Sequence, residues 1–428
     1  MPLITSRTVF STLVALAAAG LAAGCATTSS SSSTTAAGPT AGRGPGQSAP
    51  AGSTPAAAGP PCASGAASAT AGSATAGSAG APALDAVQFT DPSHGWVAGA
   101  GRILATADAG RTWTRQYSGT AALDQVDFTD DQHGWAAGGG TLLRTTDGGA
   151  TWTALKEPCQ GELSAIHFVS PALGYAVAAA PGGTAGETPG GAASGGAFTP
   201  AVGGSLLRTS DGGATWTDVT GGPENPQSAC FANAADGYLG TPGHVWRTTD
   251  GGQRWTLAMA EPGPSGSRPT ADTTEIECAG ASALWVLFLG QGAGMSHSPY
   301  LAYATQDGRQ WHGLFEEQYT EAALRPGLKL PEGPGSYPGP FSAIDSGLAA
   351  FVGYTPPLGY GAAPVMLASV SGAIISEGNV AAINEPFGAS FLSQSQGWVV
   401  GENLKTSAFD VEATSNAGRT WTTQYTVG

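Results

Sequence analysis

The sequence predicts an all-β protein: a single β-propeller of seven four-stranded blades, preceded by an export signal and a structureless tether. Three observations carry this. A unit of about 40 residues recurs seven times between Leu84 and Gly428. Each clear copy alternates short strand patterns with glycine-rich turns, four strands to the unit. Beyond the first 25 residues no segment shows a helical period.

The first element, residues 1–24, reads as a signal peptide. Arg7 precedes the apolar run TVFSTLVALAAAGLAAG, which ends at Cys25 and is too short for a comfortable membrane span. Ala22, Ala23 and Gly24 ahead of Cys25 resemble a bacterial lipoprotein signal, which implies a lipid on the Cys25 sulfur. Ala22 stands where such signals usually carry leucine, and an ordinary secretory signal is the alternative.

Residues 25–83 form the tether. They are rich in Ala, Gly, Ser, Thr and Pro and lack the large apolar side chains that offset the entropy of ordering a chain. A flexible chain of this length spans on the order of 40 Å, enough to hold a globular head clear of a membrane.

Charge separates the tether from the head. All 31 acidic residues follow Pro82, whereas Arg7 and Arg43 are the only charges before it. So acidic a head repels phosphate backbones, and no nucleic-acid partner is expected. Besides Cys25 there are four cysteines, Cys62, Cys159, Cys230 and Cys278, with no CxxC spacing. Outside the cytoplasm an even number favours two disulfides, of three possible connectivities. Cys230 and Cys278 lie at similar repeat positions, which favours their pairing and leaves Cys62 for Cys159. No metal and no cofactor is expected.

The head, residues 84–428, is built of the repeats. VQFTDPSHGWVAGAGRILATADAGRTWT from Val87 aligns without a gap to VDFTDDQHGWAAGGGTLLRTTDGGATWT from Val126, a period of 39. The third copy resumes after an insertion as SLLRTSDGGATWTDV, and the fourth ends in HVWRTTDGGQRWTLA. The fifth has the shortened box TQDGRQW, the sixth has lost both aspartate and tryptophan, and the seventh puts Asn416 in the aspartate's place. V-x-F is the first strand, W-x-A-G the second, L-L-R-T-T the third and W-T-x-x the fourth. Seven such units suit a closed ring, with an open solenoid as the alternative.

The motif T-x-D-x-G-x-T-W, as in TTDGGATW, resembles the Asp-box (BNR) repeat of sialidase-type propellers. HGW with AGGGTLLRTTDGG resembles the propellers of the photosystem II stability and assembly factor family. The resemblance is strong over copies one to four and loose beyond. It implies the fold and leaves the function open, because sialidases, receptors and assembly factors share the motif.

The box aspartates Asp108, Asp147, Asp211, Asp250 and Asp307 are read as structural. At a hairpin tip a carboxylate accepts backbone N–H groups while glycines supply positive φ. Asn416 can make the same acceptor bonds, whereas a catalytic base could not be exchanged so freely. Ten of eleven tryptophans occupy two repeat positions and are assigned to packing between blades. His94 and His133 recur at one turn position in different blades, so they are read as turn residues rather than metal ligands.

Function is therefore sought on one rim. Turns joining strands one to two and three to four stay short, while every long insertion joins strands two to three or one blade to the next. The insertion rim carries the candidate binding residues Tyr300, Tyr319, Arg325, Tyr337, Tyr354 and Tyr360. The expected function is a non-catalytic binding or assembly scaffold on the cell surface. Its expected partner is an unidentified protein or glycan of the envelope, and it is held at the outer face of the membrane by its lipid anchor. No catalytic residue is assigned. The alternative is a glycoside hydrolase on the same rim. A sialidase-like site needs three converging arginines, which only Arg102, Arg268 and Arg325 could supply, and the chain has no Arg-Ile-Pro motif.

Overall fold

The computed structural model describes residues 83–158, 162–179, 204–262, 271–290, 298–317, 330–355 and 361–428. The expectations over residues 1–82, Cys25 and Cys62 among them, and those for Cys159, Tyr319, Arg325 and Tyr360, lie outside these residues. Ala83, assigned to the tether, already belongs to the head: its carbonyl accepts the N–H of Ala100 at 3.2 Å.

Every regular element among the described residues is a strand, and the strands form seven antiparallel sheets of consecutive strands. Blade 2 is typical, with strands Gln125–Phe128, Gly134–Gly138, Thr141–Thr145 and Thr153–Leu155 in that spatial order. In blade 1 the second and third strands run together as Gly95–Thr106 across a turn at Gly101, whose φ is +63°. Blade 6 is complete despite its lost box, from Tyr337–Ala343 to Ile374–Val380. The first strands of successive blades are neighbours all the way round, Ala86–Phe89 of blade 1 meeting Glu385–Phe391 of blade 7. The ring is a seven-bladed β-propeller. It closes without exchanging a strand, because each blade comes from one stretch of chain.

The apolar core is divided into seven clusters, one between each pair of adjacent blades. Four are centred on a stacked pair of rings. The second-strand aromatic of one blade lies flat on the first-strand phenylalanine of the next. The pairs are Trp96 on Phe128, Trp135 on Phe168, Tyr175 on Phe231 and Trp398 on Phe89, with centroids 3.4–3.6 Å apart. The box tryptophan then meets that phenylalanine edge-on from within the same blade, as Trp152 meets Phe128 at 83°. Stacking explains the glycine before each second-strand aromatic. A Cβ on Gly95, Gly134, Gly174, Gly237 or Gly397 would sit 2.3–2.5 Å from the phenylalanine ring. In blades 5 and 6 the phenylalanine is replaced by Cys278 and Ala343, and the cross-strand partner is no longer glycine but Leu284 and Ala349.

A second device joins the blades at the residue just before that phenylalanine. Gln88 donates to the carbonyl of Phe128 and accepts its N–H, at 3.3 and 2.6 Å. The Asp127 carboxylate accepts the N–H of Phe168. His167 Nε2 lies 2.8 Å from the carbonyl of Phe231, which makes Nε2 the protonated nitrogen. Glu277 accepts from Ala343 at 2.6 Å, Ser342 from Phe391 at 3.0 Å, and Ser390 from Phe89 at 3.0 Å. At the remaining interface, blade 4 to blade 5, Cys230 is joined to Cys278 by a disulfide. Seven side chains of six kinds thus hold the same step around the ring. Each satisfies main-chain polarity that the inner strands would otherwise bury unpaired, or replaces it covalently.

Candidate functional site

On the short-turn rim the box aspartates are fully used by their own hairpins. Asp147 Oδ1 accepts the Thr151 N–H at 2.8 Å and the Thr145 hydroxyl at 2.9 Å, and Oδ2 accepts the Thr151 hydroxyl at 2.7 Å. Thr145 Oγ1 in turn accepts the N–H of Gly149 at 2.8 Å. Asp108 and Asp211 repeat this pattern, while Asp250 and the shortened box at Asp307 each accept backbone N–H and one threonine hydroxyl. The Thr151 backbone and hydroxyl hold the Asp147 carboxyl below its ordinary range. Asn416 keeps the geometry with one bond reversed: Oδ1 accepts from Thr420 N–H at 2.9 Å, and Nδ2 donates to the Thr420 hydroxyl at 2.7 Å. In blade 6, Ser369 accepts from Ala373 N–H at 3.1 Å beside Ser371, so serines retain a reduced form of the turn.

This arrangement yields a direct prediction. Asp147→Asn is expected to lower the melting temperature by less than Asp147→Ala, because Asn416 shows that an amide can make the bonds of the turn. Equal losses in thermal melts of the two variants would mean that the charge itself is needed. The histidines also serve turns: His94 Nδ1 lies 2.7 Å from Asp91, and His133 Nδ1 lies 2.9 Å from Asp130.

The insertion rim is the opposite end of the same sheets. Strand ends bounding the long insertions, Ala178 and Ser205, Ala260 and Ala271, Gly290 and Tyr300, Glu317 and Tyr337, Tyr354 and Ala363, all fall on it by the antiparallel order of the sheets. The insertion between blades 5 and 6 is narrower than its composition suggests. Glu316 and Glu317 end the last strand of blade 5, and Tyr337–Pro340 begin the first of blade 6.

Three of the six candidate binding residues are described. Tyr337 and Tyr354 are cross-strand neighbours in blade 6, half-buried, with rings 5.1 Å apart and tilted by 32°. Burial, with Glu385 and Tyr337 nearby, pushes the Tyr354 phenol up to about 12, so it is a neutral hydrogen-bonding group at any ordinary pH. Tyr300 is not part of a contact surface. It is 2% exposed, its ring meets Phe315 edge-on, and its hydroxyl donates to the Gly335 carbonyl at 2.8 Å. As the first residue of a third strand, Tyr300 props the returning segment around Gly335 from beneath.

Toward the axis, residues in or just before the first strands of blades 1, 2, 3, 5, 6 and 7 line an open cavity of about 270 Å³. Its polar lining includes Asp85, Asp124 and Glu277, and Phe341 and Phe387 supply apolar wall. Burial, with Asp124 nearby, raises the Asp85 carboxyl to about 7; burial and Glu162 raise Asp124 to about 6; burial raises Glu277 to about 7. A cavity of about 400 Å³ lies on the other rim, between blades 3 and 4, lined by Arg208, Asp218, Asp250 and the box glycines. Larger size does not make it the better candidate: it is walled by hairpins whose groups already serve their turns. No group of three or more His, Cys, Asp or Glu that could hold a metal occurs among the described residues. Of the three arginines a sialidase-like site would need, only Arg102 is described, and its Nε donates to its own strand at Ala100 O, 3.2 Å away.

Sequence reasoning missed the clamp residues Gln88, Asp127, His167, Glu277, Ser342 and Ser390. The usable signal was a polar residue directly before the last residue of each first strand, as in VQF, VDF and IHF.

Residues 79–156, which hold blades 1 and 2, match the family model described as photosynthesis system II assembly factor YCF48. No curated protein matches the chain in sequence. Among solved structures, YCF48 bound to a D1 peptide is 16% identical, over 76% of this chain and 91% of that one, with a TM-score of 0.47. A GH74 enzyme of Niastella koreensis is 13% identical over 80% of this chain and 54% of its own, at 0.53. The GH74 xyloglucanase of Xanthomonas campestris is 11% identical over 81% and 55%, at 0.54. This chain spans about half the length of those two enzymes, and the likeness is one of fold. The chain is a seven-bladed β-propeller of Asp-box repeats, similar in its first two blades to the photosystem II assembly factor family.

Proposed function

We propose that the protein is a non-catalytic binding or assembly scaffold, exported and held at the outer face of the membrane by a lipid on Cys25. It engages a protein or glycan partner of the cell envelope through the insertion rim. The observation that carries this reading is the contrast between the rims. Box carboxylates on one are consumed by their own turns, whereas the other gathers every long insertion beside the paired rings of Tyr337 and Tyr354. The match of blades 1 and 2 to a family described as an assembly factor supports binding over catalysis.

The test uses the tethered protein and a version with residues 318–329 replaced by a short Gly/Ser link, which leaves the strands ending at Glu317 and starting at Tyr337 intact. Crosslinking and capture from envelope extract is expected to lose at least one partner in the replaced version. Equal recovery of every partner would sink the proposed rim. In the same extracts Cys25→Ser is expected to move the protein from the membrane to the soluble fraction; retention in the membrane would overturn the lipid anchor.

A further inference from the structure

We propose that the ring carries one redox-dependent seam, between blades 4 and 5, closed by the Cys230–Cys278 disulfide and opening from the Asp-box rim when that bond is reduced. The inference comes from comparing equivalent positions. Cys230 occupies the place held by Gln88, Asp127, His167, Glu277, Ser342 and Ser390 at the other interfaces, and Cys278 the place held by Phe128, Phe168, Phe231, Phe391 and Phe89. Both members of the ordinary pair are therefore changed together, so the interface lacks the hydrogen-bonded clamp and also the ring stack. Tyr238, at the stacking position of blade 4, finds Cys278 where Tyr175 finds Phe231. Blades 5 and 6 also lack the first-strand phenylalanine, but keep the Glu277 clamp and gain Phe351 against Trp285. Blades 6 and 7 keep the Ser342 clamp. At blades 4 and 5 alone, one bond does both tasks.

The remaining polar contacts fix where the seam would part. Gln227 bonds the main chain of Asp272 and Thr274 at 2.6 and 2.9 Å, Ser228 reaches the Thr274 carbonyl at 2.6 Å, and Gly243 N–H reaches the Thr274 hydroxyl at 3.1 Å. All lie at the insertion-rim end of these strands. At the opposite end Tyr238 Oη is buried and makes no hydrogen bond, although Tyr175 reaches Ala234 O at the preceding interface. Without the disulfide the two blades stay joined by these bonds at the insertion rim, while toward the box turns the apolar contacts of their shared cluster are what holds them, so that end parts first. Cys230 is buried and Cys278 only partly so, which makes Cys278 the sulfur an incoming thiolate meets. A dithiol reductant exchanges with the bond, leaving two protein thiols and its own cyclic disulfide, with two electrons and two protons transferred.

Hydrogen exchange read by mass spectrometry tests this on the full chain carrying Cys62→Ser and Cys159→Ser, with peptide mapping to score the Cys230–Cys278 link. Dithiothreitol is expected to raise exchange at least tenfold in peptides covering 229–238 and 276–283, and to leave the other first strands unchanged. Cys230→Ser with Cys278→Ser should reproduce the reduced pattern without reductant. Cys230→Gln with Cys278→Phe and Leu284→Gly rebuilds the pairing of blades 1 and 2, and is expected to restore protection and abolish the response to dithiothreitol. An unlinked pair in the oxidised protein, exchange that rises evenly round the ring or nowhere, or a rebuilt pair as open as the serine variant would each overturn the proposal.

Discussion

Phe89→Ala is expected to lower the unfolding free energy by about 3–5 kcal/mol, the range for deleting a large ring from a packed core. Phe89 is 4% exposed and lies flat on Trp398 at 3.5 Å, where the two ends of the repeat array meet. No strand passes between blades 1 and 7, so side chains close the ring: this stack and the apolar cluster around it, the tilted contact of Trp113 with Tyr425, the Ser390 clamp and the bond from Gln424 to Ala109 O at 2.9 Å. The vacated space is walled by Trp398, Trp113 and the backbone of Gly95, none of which can collapse into it cheaply. Phe89→Leu retains most of the apolar contact and should lose under about 1.5 kcal/mol if repacking follows the usual pattern. Urea unfolding of both variants checks this. A loss below about 1 kcal/mol for the alanine variant would show that the ring is closed by other means.

The second large effect is a fall in stability from weakly acidic to alkaline pH. Glu277 and Glu275 are each raised to about 7 by burial, with Glu277 adding to the shift of Glu275, and Asp85 is raised to about 7 as described. Asp124 and Glu385 are raised to about 6, the latter by burial and then by Glu402 opposite it. A carboxyl whose folded pKa lies above its unfolded value contributes stability that is complete below the unfolded value and is lost as pH rises through the folded one. Those contributions vanish between about pH 5 and 8. The box aspartates are shifted the other way, so theirs is present above their unfolded value and lost as pH falls through the depressed one. The melting temperature should therefore peak near pH 5. Glu277→Gln keeps an acceptor for Ala343 N–H without an ionisable group. It is expected to flatten the alkaline limb and to add about 2 kcal/mol at pH 8, allowing for the partial solvent contact of the side chain. Melting curves from pH 4 to 9 that coincide for the two proteins would refute the assignment.

Much of this architecture was legible because repeats expose what they keep. The gapless alignment at Val87 and Val126 set the unit, and Asn416 in the aspartate's place already separated a turn role from a catalytic one. The clamp was hidden for the opposite reason. Gln, Asp, His, Glu and Ser have no common volume or charge, and what they share is reach to one main-chain group, with Cys230 bonding a side chain in its place, none of which identity-based alignment registers. For Tyr300, nearness to an insertion in sequence is not nearness to the surface. Tyr300 opens a third strand whose six residues are all buried, and its ring packs edge-on against Phe315. The covariation of phenylalanine with the facing glycine was present in the sequence too, but becomes interpretable only once the two residues are seen to share one space.

Closure without strand exchange also bears on how such a ring can change. Every blade is an uninterrupted cassette that presents one side chain forward and receives one from behind, so no blade is structurally first and cyclic permutation of the encoded order leaves the contacts the same. Divergence can then proceed cassette by cassette, provided the forward and backward contacts survive. Blade 6 illustrates the allowance: it has discarded the box aspartate and tryptophan, yet it still receives Glu277 at Ala343 and still presents Ser342 to Phe391.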